Sequence, residues 1–132
     1  AYLEGQNIEL MANSDNVLRG GLTPKHIDIA ELLKHIQFIP TIPNVLMGDP
    51  MNDFETNYPC PVADFGLSKI AIKAGESYTV QSKSIEMFLV TEGEIAIDGI
   101  VYTAGEVAMA KALQEITIQS NKAAVVFKSY VP

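Results

Sequence analysis

From Phe65 to Tyr130 the chain passes through eight short runs rich in β-branched and apolar residues, each closed by a turn signal, and this series leaves few folds open. The runs are 65–72, 77–81, 85–91, 94–97, 100–103, 107–110, 115–119 and 123–130. Asp98-Gly99 joins two of them with only two residues, and a type I′ turn needs positive φ at both, so this dipeptide predicts a tight hairpin. Gly75-Glu76, Gly93-Glu94 and Gly105-Glu106 mark further turns. Eight short strands with tight turns and no helix between them predict a β sandwich or jelly roll.

The segment before this block differs in character. Asp28 can cap a helix with Glu31 three residues on, and Ile29, Leu32, Leu33 and Ile36 fall on one apolar stripe. Pro40 and Pro43 stop that helix, because proline lacks the N–H a helical ladder needs. Between residues 40 and 61 stand five of the seven prolines, with Asp49, Asp53, Glu55 and no Lys or Arg. That composition predicts an irregular connector, pinned to the β block by Leu46, Met47 and Phe54. The expected organisation is therefore three parts: a block over 1–27, a helix and connector over 28–64, and a β barrel over 65–132.

Charge and cysteine usage exclude several function classes. Nine Lys and Arg against 16 Asp and Glu give a net charge of -7, which disfavours nucleic acid, since a phosphate backbone requires clustered cations. No run approaches the roughly 20 apolar residues of a membrane-spanning helix, and the N-terminus lacks the pattern of a secretory signal, so a soluble cytoplasmic protein is expected. Cys60 is the only cysteine, which excludes an intrachain disulfide and a thiolate cluster. Set between Pro59 and Pro61, it has no neighbouring His to activate it and reads as inert.

The first 25 residues carry the chemistry. Ala1-Tyr2-Leu3-Glu4-Gly5 is followed by Glu9-Leu10-Met11-Ala12-Asn13-Ser14-Asp15-Asn16 and by Arg19-Gly20-Gly21-Leu22-Thr23-Pro24-Lys25. This block resembles the signature of type I mannose-6-phosphate isomerases: His-Ala-Tyr-x-x-Gly, then Glu-x-Met-Ala-x-Ser-Asp-Asn, then Arg-Ala-Gly-x-Thr-Pro-Lys. Gly20 stands where Ala is usual, and the chain begins one residue after the signature His, a zinc ligand in that family. The resemblance implies the C-terminal portion of a zinc enzyme that interconverts mannose 6-phosphate and fructose 6-phosphate. Its zinc would be held by Gln, His, Glu and His residues upstream of Ala1. The isolated chain is accordingly expected to hold no metal and to be inactive without its N-terminal catalytic portion.

By the same resemblance Arg19 is the catalytic cation, stabilising negative charge at C1 and C2 of the hexose 6-phosphate, and Lys25 holds the phosphate or assists ring opening. Gly20 and Gly21 between them permit close ligand approach. Glu9, alone in the apolar run Ile8–Ala12, would face the opposite side of a strand and contribute to substrate binding. Asp15 and Asn16 read as turn residues that position Arg19, and Tyr2 is a weaker candidate. His26 and His35 read as surface or capping residues, His35 suiting the negative end of the helix dipole.

The β block agrees in kind with the cupin barrels of that family, giving a mainly β, cupin-like jelly-roll barrel with one N-terminal amphipathic helix. Metal-binding cupins direct three His and a Glu into the barrel. Aligned by glycines, Gln81, Lys83 and Ala108 fall where those His belong, and only Glu86 keeps a candidate ligand position, so a barrel without metal is expected. An alternative from another class is a freestanding, non-catalytic cupin module that binds a sugar phosphate or a partner protein. Residues 1–27, parted from their barrel, would extend the β block or pair with a second copy as a homodimer.

Overall fold

The computed structural model describes residues 4–13 and 17–132, so the expectations for Tyr2, Asp15 and Asn16 lie outside the described residues. The chain forms two compact units, residues 11–45 and residues 1–10 with 46–132.

The larger unit is a two-sheet antiparallel β barrel. Its strands are β1 (Asp49–Pro50), β2 (Glu55–Tyr58), β3 (Gly66–Ile72), β4 (Ser77–Gln81), β5 (Glu86–Glu92), β6 (Glu94–Ile97), β7 (Ile100–Thr103), β8 (Val107–Ala110), β9 (Glu115–Gln119) and β10 (Ala124–Tyr130). One sheet runs β1-β2-β3-β10-β5-β8 and the other β4-β9-β6-β7. Strands β4, β6, β7, β8 and β9 have the bounds that the sequence runs predict. Asp98 (φ 51°) and Gly99 (φ 77°) form the expected turn, with Ile97 paired to Ile100.

Alternation along each strand builds the core. Ile70, Ile72, Phe88, Val90, Ile95, Ile118 and Val126 point inward and are essentially fully buried. At Gly93, where the chain passes from β5 to β6, φ is +74° and a Cβ would collide with the Ala123 carbonyl oxygen. Only glycine satisfies both conditions at this corner.

Two expectations change here. The connector is not wholly irregular: β2 joins the edge of the larger sheet, with Glu55 opposite Ile70 and Tyr58 opposite Leu67. Its inward residues, Glu55 and Asn57, are polar, so no apolar alternation advertised the strand. Of its apolar residues, Phe54 packs against the core, whereas Leu46 and Met47 are exposed. Residues 6–12 form no strand, although Ile8 and Leu10 are half-buried and Glu9 is exposed, the alternation of an extended chain. Ile8 and Leu10 instead line a hollow of about 340 Å³ with Leu67, Leu89 and Phe127, on the outward register of the larger sheet.

The smaller unit contains α1 (Ile29–His35), with Asp28 as its cap accepting from the Glu31 N–H at 2.9 Å. The Glu31 carboxylate turns to Lys34 (2.6 Å) and His35 (3.1 Å), which hold it below the usual carboxylate range. The apolar stripe is largely unburied: Ile29, Leu33 and Ile36 are exposed. A unit this small offers too little apolar surface to cover a helix face.

Candidate functional site

Arg19 and Lys25 both fall in the smaller unit, on the loop before α1. Gly21 (φ 137°) and Leu22 (φ 54°) bend that loop through the left-handed region, and the Lys25 N–H closes it on Thr23 Oγ1 at 3.2 Å. Arg19 is half-buried and Lys25 exposed. Glu9 is exposed and belongs to the larger unit. His26 is exposed, and His35 is exposed with its ring bonded to Glu31.

The barrel carries a second concentration of polar side chains that the sequence did not disclose. The inward register of β10 runs Ala124, Val126, Lys128, Tyr130, and that of β3 runs Ile72, Ile70, Ser68, Gly66, so both strands pass from apolar to polar toward the same end. Lys128 Nζ lies 2.6 Å from Glu55 Oε1, and both side chains are more than nine-tenths buried. The Tyr78 hydroxyl donates to Glu55 Oε2 at 2.6 Å, and Asn52 Nδ2 donates to Tyr78 at 3.2 Å. Burial pushes the Glu55 carboxyl up, but hydrogen bonds from Lys128, Tyr78 and Ser68 outweigh it and hold it below its ordinary value. Burial and the Glu55 carboxylate together push Tyr78 up to about 12. Tyr130 donates to Asn57 Oδ1 at 2.7 Å. Its ring lies against Gly66, where a Cβ would come within 2.5 Å. The signal that could have found this cluster is the lysine at an inward position of an otherwise apolar strand.

Glu86 is buried opposite Ala110 in the sheet, Ala108 is buried opposite Phe88, and Gln81 and Lys83 stand exposed at the rim of the polar end. This donor set does not fit a zinc ion: among the described residues no three His, Cys, Asp or Glu side chains converge, and an ammonium already occupies Glu55.

Comparison with known proteins identifies the relatives. No family model matches the chain. Mannose-6-phosphate isomerase of Escherichia coli K12 is 35% identical over 131 residues, 98% of this chain and 32% of that protein. The Salmonella typhimurium enzyme of the same name is 43% identical over 98 residues, 74% of this chain and 25% of that one. Mannose-6-phosphate isomerase 1 of Arabidopsis thaliana is 34% identical over 128 residues, 92% and 29%. Crystal structures of phosphomannose isomerase from Salmonella typhimurium superpose with a TM-score of 0.73 at 32% identity, covering 91% of this chain and 32% of that one. A chain of the Rhodobacter sphaeroides SigE complex with the anti-sigma ChrR shares the fold alone, with a TM-score of 0.55 at 13% identity over 65% of this chain and 49% of its own. The chain thus spans about a third of the length of the curated relatives it matches over nearly all of its own. In sequence and in fold it is a homologue of the mannose-6-phosphate isomerases, corresponding to the cupin-like C-terminal part of those proteins.

Proposed function

We propose that this chain is the C-terminal portion of a cytoplasmic, zinc-dependent mannose-6-phosphate isomerase and that it has no isomerase activity by itself. The observation that carries the reading is the 35% identity over 98% of the chain, which includes the signature from Glu4 to Lys25. Aldose–ketose isomerisation moves a proton between adjacent carbons and leaves negative charge on an enediolate oxygen. Arg19, always charged, sets a fixed cation against that charge. Lys25 supplies an exposed point charge for the substrate phosphate, and Glu9 a carboxylate for substrate hydroxyls. The loop through Gly21 and Leu22 sets the spacing between the two cations. The metal and its ligands belong, in this reading, to an N-terminal catalytic portion with which the chain functions.

The test is turnover of mannose 6-phosphate by two proteins. This chain alone, with or without zinc, is expected to be inactive. Fused behind the first two-thirds of the Escherichia coli relative, it is expected to restore activity, and Arg19→Ala in that fusion to lower kcat by about 100-fold or more. Zinc-stimulated turnover by the isolated chain overturns the fragment reading. An active fusion indifferent to Arg19→Ala overturns the role given to Arg19.

A further inference from the structure

We propose that the outward face of the larger sheet is the surface on which an N-terminal catalytic portion docks, with residues 7–10 as the layer shared between the two. The inference rests on the reading of the chain as a C-terminal portion, and adds where the remainder sits. The two sheets of the barrel differ in what they show to the outside. On the smaller sheet the outward pairs are Ser77 with Gln119, Thr79 with Thr117 and Gln81 with Glu115, all polar, as water on that side requires. On the larger sheet one outward row runs Phe127, Leu89, Val107 across β10, β5 and β8, with Lys69 at its far end. The next row runs Leu67, Ser129, Met87, Met109. An antiparallel sheet that met only water on this side would carry polar residues at these positions.

Part of this face is already attended from within the chain, since half-buried Ile8 and Leu10 border the hollow over Leu67, Leu89 and Phe127. The cover stops short: Met87 remains 48% exposed, Val107 46% and Met109 68%. The segment that begins the cover points to the occupant. Residues 6–12 are extended yet pair with no strand among the described residues, so the edges of the segment offer backbone groups that another strand can satisfy. Ile8 and Leu10 turn to the barrel, while Glu9, the signature carboxylate between them, is exposed on the other side. A segment with a barrel under one face and a substrate-binding side chain on the other belongs between two bodies. The body that completes the site around Glu9 adds strands beside residues 6–12, and those strands continue over the same apolar face to cover Met87, Val107 and Met109. The chain spans 32% of the Escherichia coli relative, and the remainder is long enough for that layer. A second copy of this chain could bury the same apolar residues but would leave Glu9 without a site.

The test is methionine oxidation by hydrogen peroxide, followed residue by residue by peptide mass spectrometry. It compares the isolated chain with the fusion behind the first two-thirds of the Escherichia coli relative. In the isolated chain Met87 and Met109 are expected to react at rates near that of Met51, which is 65% exposed at the polar end of the barrel and serves as the reference. In the fusion Met87 and Met109 are expected to slow by about tenfold or more while Met51 is unchanged. Met109 reacting as fast in the fusion as in the isolated chain overturns the proposal. So does slowing in the isolated chain that grows with its concentration, which gives the face to a second copy. The readout is separate from turnover. An active fusion with a reactive Met109 overturns the docking face and leaves the isomerase reading standing, and an inactive fusion with Met87 and Met109 protected does the reverse.

Discussion

Replacing Lys128 by Met isolates the ion pair that organises the polar end of the barrel. Methionine keeps the length and apolar stem of the side chain, so the change removes the charge with little loss of volume. The Glu55 carboxylate is then left 94% buried with the Tyr78 and Ser68 hydroxyls as its remaining donors. Breaking a buried pair by deleting one partner costs about 3–5 kcal/mol, and the adjoining cavity lets water reach the orphaned carboxylate, which favours the lower end, ~3 kcal/mol. For a domain of this size that corresponds to a fall in Tm of roughly 12 °C or more. The pH dependence adds a second signature. In the native protein the Glu55 pKa is below its unfolded value near 4.5, so its stabilisation is present above that pH and is lost as pH falls through the folded pKa. In Lys128→Met burial acts with less opposition and raises the pKa, so the penalty is full at neutral pH and relieved toward pH 4.5 and below. The difference between the two proteins must therefore narrow on acidification. Urea unfolding followed by circular dichroism measures both effects. The double variant Glu55→Gln, Lys128→Met should recover to within about 1 kcal/mol of the parent. A loss below about 1 kcal/mol at pH 7, or a gap that widens on acidification, refutes the argument.

Other substitutions probe features that are equally local. Ser82 is fully buried; its hydroxyl donates to the Lys111 carbonyl at 2.6 Å and accepts from the Gln114 N–H at 2.9 Å, so Ser82→Ala should cost about 1–3 kcal/mol in the same unfolding assay. Gly93→Ala combines a positive φ with a collision against the Ala123 carbonyl oxygen and should cost about 2 kcal/mol or more, whereas Gly99→Ala, which meets nothing, should cost less. Tyr78 should ionise near pH 12, and an ultraviolet titration should lose that late step in Tyr78→Phe. Its raised folded pKa means that its contribution to stability is whole below pH 10 and falls away as the pH rises toward 12, so thermal melts across that window should drop more for the parent than for Tyr78→Phe.

The barrel strands were legible because each carries its own periodicity: in β3, β5 and β10, alternate residues such as Ile70, Val90 and Val126 must be apolar to fill the core. The hairpin at Asp98-Gly99 was legible for an equally local reason, its requirement for positive φ. The cap at Asp28 depends on one hydrogen bond three residues away. Strand β2 was not legible, because its inward residues are charged or polar and are acceptable there only through partners on β3 and β10.

By itself the sequence determined the existence of the strands from β3 to β10, the turns, the capped helix and the resemblance to the mannose-6-phosphate isomerases, since all of these are written in residues close together along the chain or in a contiguous signature. Only the tertiary structure decided that Glu55 and Lys128, far apart in sequence, meet at 2.6 Å, and that Tyr78 reaches across from the other sheet. The reason is physical. A buried charge is tolerated only where the fold delivers a partner, and strand pairing rather than chain order determines which residues meet.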